Sequence, residues 1–153
     1  MGLSYRHARE SDLQAVSEVY WDALLDVYRR HGFDDTRGSR TVNPFYDFCL
    51  GHEPQGFFVA EDTGGLVGAA FSWVRGRLWF LSHLFVRPSM QGRGVGGALL
   101  ELSRRYGRAS GADVHAVVTM AFNTVSVGLY MRSGMYPIQD IHLMSAPGPL
   151  QQD

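Results

Sequence analysis

The segment MQGRGVGGALL, residues 90–100, places four glycines among six residues directly before an apolar run with helical spacing. The run LWFLSHLFV (78–86) before it and the run VHAVVTM (114–120) after the helix are rich in β-branched and aromatic residues, as strands are. A strand, a glycine loop, a helix and a second strand predict two parallel strands, because the helix carries the chain back across the sheet. This unit requires an α/β domain.

The glycine segment also predicts an anion site. Backbone N–H groups of residues 92–97 lack partners at a helix start, and the helix dipole adds partial positive charge there. Glycines leave these donors open to a phosphate, and Arg87 and Arg93 bring full positive charges close to them. We therefore interpret the loop as a phosphate cradle.

Two other interpretations of the glycines are compatible with the sequence. One is a flexible turn that permits close helix packing. The other is a dinucleotide-binding loop, since Gly92-x-Gly94-x-x-Gly97 matches that pattern. Against the second interpretation, residues 87–91 separate the strand from the first glycine, and Asp113 begins the next strand where the pattern expects an acid at a strand end.

The rest of the chain divides into a helical first part and a β-rich middle. Residues 12–31 predict a helix that starts with a capping box at Ser11–Gln14, and residues 44–50 predict a second helix. Three β-like runs with short glycine turns between them predict an antiparallel meander; they are residues 57–61, 66–74 and 78–86. Residues 123–133 predict a last helix and residues 136–144 a last strand.

Length and composition favour one domain, residues 1–145, with a flexible tail over 146–153. Cys49 is the only cysteine, which excludes an internal disulfide, and all 14 basic residues are arginine, which excludes a Schiff-base lysine. No apolar run reaches the roughly 18 residues of a membrane span, and the first residues are too polar for a signal peptide. We expect a cytoplasmic protein without a metal, membrane or nucleic-acid partner.

Two spaced motifs resemble those of a known family. Gln91-Gly-Arg-Gly94-Val-Gly96, preceded by Leu84-Phe-Val86, resembles the acetyl-CoA motif of the GNAT N-acyltransferase superfamily. Residues 123–135, NTVSVGLYMRSGM, are similar to its second motif, with Ser126 at the family's alanine position and Met135 at its phenylalanine position. The predicted order β-α-α-β-β-β-α-β-α-β is also that of the family.

The resemblance implies a mixed, mostly antiparallel sheet flanked by helices, with two splayed parallel strands forming a V-shaped cleft for acetyl-CoA, the acyl-donor cosubstrate. Backbone groups of the first strand would bond to pantetheine, the loop amides to pyrophosphate, and the last helix would line the other wall. The implied coenzyme-binding residues are Leu84, Phe85, Val86, Gln91, Gly92, Arg93, Gly94, Val95, Gly96, Gly97, Asn123 and Tyr130.

The same resemblance assigns catalytic roles. Tyr130 would protonate the departing thiolate, and a backbone amide near Phe85 or Val86 would stabilise the oxyanion. The family's usual basic residue is missing, because Ser82 and Phe80 stand where a Glu or His is common. Ser82 could hold a water that relays the proton, although a serine alone has no suitable pKa.

Histidines offer other candidates for the base. Strand alternation sends His83 to the face opposite Ser82 unless a bulge reverses the register, so we expect a structural histidine there. His115 and His142, on predicted strands, are weaker candidates.

The sequence therefore predicts an N-acyltransferase that moves an acetyl or short acyl group from acetyl-CoA to a primary amine by direct attack. The acceptor would be a small molecule or a peptide, and a homodimer is compatible with the sequence. The alternative is a non-catalytic acyl-CoA-binding module of the same fold. Aromatic residues on the first two helices and the second meander strand predict the acceptor pocket; they are Tyr20, Trp21, Tyr28, Phe45, Tyr46 and Trp73.

Overall fold

The computed structural model describes residues 2–33 and 43–142. Within these ranges the strands are β1 (Ser4–His7), β2 (Phe57–Asp62), β3 (Gly65–Arg75), β4 (Leu78–Val86) and β5 (Val114–Val117). The α-helices are α1 (Leu13–Arg30), α2 (Pro44–His52), α3 (Val95–Ala109) and α4 (Thr124–Arg132).

The five strands form one sheet in the order β1-β2-β3-β4-β5. The first three pairings are antiparallel, which confirms the meander, and β4 pairs with β5 in parallel through the α3 crossover. The mixed, mostly antiparallel sheet that the family resemblance implies is therefore present. Its parallel pair places the start of α3 beside the carboxyl end of β4.

Helices cover both faces of the sheet. On one face, α1 and α2 bury Val19, Tyr46 and Phe71 in a cluster that the structure closes almost completely to solvent. On the other face, α3 packs Val95 and Leu99 against the small residues of β2 and β3. These two layers hold β4 between them, so each of its side chains faces either the α1/α2 layer or the α3 layer.

The α3 layer approaches the sheet closely where α3 carries a glycine. A Cβ atom added to Gly107 would lie 2.5 Å from Cδ1 of Trp79, which is completely buried. Any larger residue at this position would have to displace the indole ring. Gly107 therefore sets the distance between α3 and β4.

The first helix starts differently from the prediction. α1 has Asp12 at its N-cap, and no side-chain cap bond forms there, so the expected capping role of Ser11 is wrong. The Asp12 carboxylate instead accepts a hydrogen bond from the Arg9 backbone N–H at 2.8 Å and from Arg6 at 2.6 Å. The Arg6 guanidinium lowers the pKa of this buried carboxyl, and that ion pair fixes the turn.

The predicted last strand is also wrong over its described part. Residues 136–142 adopt no strand, and the side chains of Tyr136, Ile138 and Ile141 are exposed, with Ile138 at 97%. A segment of alternating apolar residues can form a β-strand. It does so only when the edge of a neighbouring strand offers hydrogen-bond partners to its backbone. Residues 143 and 144 and the predicted tail lie outside the described residues.

Candidate active site

A cleft opens where the parallel strand pair ends. Leu81 opposite Val117 is the last pair between β4 and β5, whereas β4 continues to Val86. Along the described chain, residues 82–86 therefore have one backbone edge on β3 and one edge without a strand neighbour. That second edge offers hydrogen-bonding groups to a ligand that enters between the strands.

The hydrogen-bond ladder identifies which groups face the cleft. The Arg87 N–H donates to Val67 O at 2.8 Å, so alternate residues of β4 direct their backbone groups toward β3, and Phe85 is among them. A Cβ atom added to Gly68 would lie 3.2 Å from Phe85 O, which agrees with that direction. The N–H and C=O groups that face the cleft are those of the residues flanking Phe85.

The glycine loop forms the start of α3. Gly94 is the N-cap residue and has φ of +84°, a conformation that side chains rarely adopt. The first helical bond of α3 runs from Ala98 N–H to Gly94 O, so the N–H groups of residues 95–97 have no partner within the helix. Arg93 beside them is exposed. This is the donor arrangement predicted for a phosphate cradle.

Arg87, predicted to add charge to the cradle, is paired with acids of α1. Its guanidinium bonds to the Asp22 carboxylate, lies 3.7 Å from Glu18, and donates through Nε to Leu66 O at 2.8 Å. These contacts neutralise the charge and hold α1 against the end of β4. The sequence showed the arginine beside the glycines but not the acids of α1 that approach it in the fold.

Gln91 ties the loop to its surroundings. Its amide donates to Val86 O at 3.0 Å and accepts from Arg30 at 3.2 Å. The loop is thus braced against both β4 and the last turn of α1. The contact from α1 could not be found in the sequence, because 61 positions separate the two residues.

The second wall of the cleft comes from α4. Asn123 caps this helix, because its side-chain oxygen accepts the Ser126 N–H at 3.3 Å. A Cβ atom added to Gly96 would lie 3.6 Å from Leu129, so α4 meets the start of α3 at the glycine loop. Tyr130 is 7% exposed, and burial raises the pKa of its phenol to about 12.

A β-bulge changes the faces of β4. Phe71 pairs with His83 but Ser72 pairs with Leu81, so Ser82 is an additional residue in the ladder. The strict alternation on which the prediction for His83 rested is therefore interrupted between Leu81 and His83. The bulge turns the His83 side chain toward the α1/α2 layer.

Phe80 shares that layer, because its ring stacks on Trp73. Leu84, by contrast, packs in the α3 layer. The expectation that Phe80 and Leu84 share a face is wrong for the same reason.

His83 lies among aromatic rings and beside a hydroxyl. Its ring centroid is 5.0 Å from that of Phe45, 5.6 Å from that of Tyr46 and 6.2 Å from that of Tyr20. The Ser82 Oγ and His83 Nδ1 atoms are 2.9 Å apart. Burial lowers the pKa of His83 to about 4, so the imidazole is neutral at physiological pH.

Most of the predicted acceptor aromatics belong to the core. Tyr46 is 1% exposed, and Phe45 and Trp73 pack against the same buried cluster. Another aromatic contact lies at the cleft, where the rings of His31 and Phe33 each approach Phe122 with centroids 4.9 Å apart. The last turn of α1 thereby reaches the segment between β5 and α4.

The remaining histidine candidates lie elsewhere. His115 accepts a 3.4 Å contact from Arg104, and its ring lies 5.0 Å from Trp79. His142 is exposed.

Within residues 2–33 and 43–142, no group of three His, Cys, Asp or Glu side chains could hold a metal ion. No helix in that part of the chain is both long and apolar enough to span a membrane.

A mixed sheet whose parallel pair separates beside a glycine-capped helix is the α/β arrangement that the two motifs implied. The chain belongs to the acetyltransferase (GNAT) family, because the model of that family matches residues 13–135. This result confirms the family resemblance of the two motifs and removes the dinucleotide-binding interpretation of the glycines.

The chain is similar to several proteins that are named acetyltransferases. An uncharacterized N-acetyltransferase, YhfO of Bacillus subtilis, is 27% identical over 138 residues, which are 86% of this chain and 89% of YhfO. The mycothiol acetyltransferase of Mycolicibacterium gilvum is 41% identical over 107 residues, 63% of this chain and 32% of that protein. The chain thus spans about a third of the length of the mycothiol acetyltransferases it matches.

Solved structures share the fold at lower identity. The PaiA N-acetyltransferase of Thermoplasma acidophilum, solved in complex with coenzyme A, has a TM-score of 0.75 at 16% identity, covering 87% of this chain and 89% of that one. The aminoglycoside N-acetyltransferase AAC(6')-Iy, also solved with coenzyme A, has a TM-score of 0.73 at 18% identity, covering 96% of both chains.

Proposed function

We propose that the protein transfers an acetyl group from acetyl-CoA to a primary amine by direct attack within a ternary complex. The observation that carries this proposal is the open backbone edge of β4 beyond Leu81, which leads directly to the unpaired amides at the start of α3. One end of the cleft suits an extended amide chain and the other end suits a phosphate. Acetyl-CoA combines both in one molecule.

The coenzyme occupies the cleft along β4. Pantetheine bonds to the backbone of Leu84 and Val86, because the ladder turns the groups of Phe85 toward β3. Pyrophosphate accepts hydrogen bonds from the loop and helix-start amides, and Arg93 contributes its charge. The amides assigned to pyrophosphate are those of Gly92, Arg93, Gly94, Val95, Gly96 and Gly97. Gln91 braces this loop, and Asn123 fixes the start of α4.

The chemistry needs an oxyanion donor and an acid. The attacking amine converts the thioester carbonyl into an oxyanion. The strand register favours a cleft-facing amide beside Phe85 as its donor, and that of Leu84 lies nearer to Ser82 than that of Val86. Tyr130 protonates the departing thiolate, because a phenol with a pKa of about 12 keeps its proton throughout the physiological range. No covalent enzyme intermediate is required.

A non-catalytic acyl-CoA-binding module is the alternative. Ser82 and Phe80 sealed by packing would favour that alternative. Both residues are only half-buried, so solvent and an acceptor can approach them. The arrangement therefore favours catalysis.

An assay that follows thiol release and product mass together tests the proposal. Acetyl-CoA is incubated with single amines from a panel of alkylamines, arylalkylamines, spermidine, an aminoglycoside and a peptide with a free N-terminus. Free thiol release and the mass of the product are measured together. We expect thiol release that depends on one class of amine, with one acetyl group added to it. Coenzyme binding without transfer to any amine would instead support the non-catalytic module.

A further inference from the structure

We infer that Ser82 and His83 form a proton relay, in which the Ser82 hydroxyl takes the proton of the acceptor amine and passes its own proton to Nδ1 of His83. This inference rests on the proposed acetyl transfer and identifies the basic group that the reaction requires. It depends on three features of the fold: the bulge, the position of Ser82 at the end of the strand pairing, and the contact between the two side chains.

The bulge determines where Ser82 lies relative to the β4/β5 pairing. Because Ser82 is the additional residue between the Phe71–His83 and Ser72–Leu81 pairs, it follows directly after the last residue of β4 that pairs with β5. Pantetheine that runs along the β4 edge from the glycine loop therefore directs its thioester end toward Ser82. The serine hydroxyl stands where an attacking amine must lose its proton.

A hydrogen-bond contact connects the side chains of Ser82 and His83. Ser82 Oγ lies 2.9 Å from His83 Nδ1, a normal hydrogen-bond distance. When the ring proton of His83 is on Nε2, Nδ1 accepts the hydrogen bond from the serine. Both residues are half-buried, and the His83 end of the pair lies within the aromatic cluster.

The surroundings keep His83 unprotonated before the reaction. Among residues 2–33 and 43–142, the titratable groups that face it are the phenols of Tyr20 on α1 and Tyr46 on α2, and its other ring neighbours there are Phe45 and Phe85. Burial is the cause of its lowered pKa. The neutral imidazole keeps the lone pair of Nδ1 open to the serine proton, and because its pKa is low it holds that proton only briefly.

Ser82, His83 and Tyr130 together account for every proton that moves in the reaction. The amine nitrogen forms the new C–N bond, the C–S bond breaks, and the amine proton moves to Ser82 as the serine proton moves to His83. The thiolate takes a proton from Tyr130 and leaves as coenzyme A. Solvent then carries the proton from the imidazolium to the phenolate, which restores both groups.

Five variants test the relay with the fastest acceptor of the amine panel. In Ser82→Ala and His83→Gln we expect kcat to fall by about 10²- to 10⁴-fold, the usual value of general base assistance, without a matching change in the dissociation constant of coenzyme A. The double variant should lose no more than either single variant, because the two residues act as one unit. Ser82→Thr keeps a hydroxyl and should retain most of the turnover. His115→Gln is the control for a half-buried histidine away from the cleft.

A rescue measurement separates proton transfer from packing. Added imidazole should restore turnover in His83→Ala, increasingly as the pH rises and more of the imidazole is neutral, but it should have no effect in Ser82→Ala. Parental kcat in both single variants, or equal loss in His115→Gln, would overturn the relay and leave the proposed function standing. A parent protein that binds coenzyme A but acetylates no amine would overturn both.

Discussion

Gly94 and Gly111 have the same backbone φ of +84° at the two ends of α3, and a Cβ atom at either position would meet no atom within 4 Å. The two positions therefore share the same backbone strain and the same free space. They differ in what lies beside them, because Gly94 caps the start of the helix and Gly111 follows its end.

This pair allows the phosphate cradle to be tested apart from folding. Gly94→Val and Gly111→Val should lose similar stability, about 1–2 kcal/mol, because each forces a β-branched residue into the left-handed region. Only Gly94→Val should also lose coenzyme A binding, since its side chain would stand in front of the helix-start amides. Unfolding midpoints and calorimetric titration with coenzyme A measure both effects. Equal coenzyme affinity in the two variants would place the phosphates elsewhere.

Tyr130 provides a test of the acid. Tyr130→Phe removes the hydroxyl and keeps the ring among its buried neighbours, so turnover should fall by about 10²-fold or more while coenzyme affinity stays near the parental value. The raised pKa of about 12 also means that this acid produces no basic limb in the pH profile between pH 6 and 9.

Tyr106→Phe is the matched control for Tyr130→Phe. The Tyr106 hydroxyl donates to the buried Glu53 carboxylate at 2.7 Å, and its pKa is also raised to about 12. Its loss should cost about 1–3 kcal/mol of stability and leave turnover unchanged. If Tyr106→Phe and Tyr130→Phe lose the same turnover, the effect of Tyr130 is structural.

Burial of His83 predicts a pH dependence of stability. The unfolded chain binds a proton at this residue below its ordinary pKa of 6.5, but the folded protein does so only below about 4. As the pH falls through this window, the unfolded state gains a proton that the folded state does not, so the free energy of unfolding decreases. The contribution is on the order of 2–3 kcal/mol.

Denaturant unfolding at pH 7 and pH 4.5 measures this contribution. The parent protein should lose more stability between the two values than His83→Gln does. His142→Gln, which changes an exposed histidine, should behave like the parent. The same loss in the parent and in His83→Gln would show that His83 is not buried in solution.

Two helix glycines predict opposite effects of the same substitution. Gly107→Ala should destabilise by about 1–3 kcal/mol, because its Cβ would lie 2.5 Å from Trp79. Gly128→Ala on α4 should stabilise by up to about 1 kcal/mol, since its nearest neighbour is the movable end of Arg132 at 3.2 Å. Thermal unfolding of both variants checks the prediction. Stabilisation by Gly107→Ala would contradict the close packing of α3 on β4.

The sequence predicted those parts of the fold that depend on local pattern. Hydrophobic periodicity and turn residues located the meander, the crossover through α3 and the parallel strands, and the glycines located the helix start beside β4. The family was recognised from two motifs, and the residues within each motif lie close together in the chain. Each of these signals is contained within about 15 residues, the length over which periodicity and caps act.

Features that depend on tertiary pairing were not predictable. The bulge at Ser82 arises from the fit between β3 and β4, and it separates Phe80 and Leu84, which were expected to share a face. Asp22, one of the α1 acids that neutralise Arg87, lies 65 positions before it in the chain. The apolar alternation after α4 indicated a strand, but whether a strand forms depends on an edge that a local pattern does not describe.

Ligand-dependent thermal unfolding of the parent protein tests the central claim, which is that the cleft between β4 and β5 holds acetyl-CoA. A ligand at about 100 times its dissociation constant stabilises the native state by about 2.7 kcal/mol, which raises the unfolding temperature of a chain of this size by roughly 5–10 °C. We expect this shift with acetyl-CoA and no shift with NADH at the same concentration. A shift with NADH and none with acetyl-CoA would contradict the account.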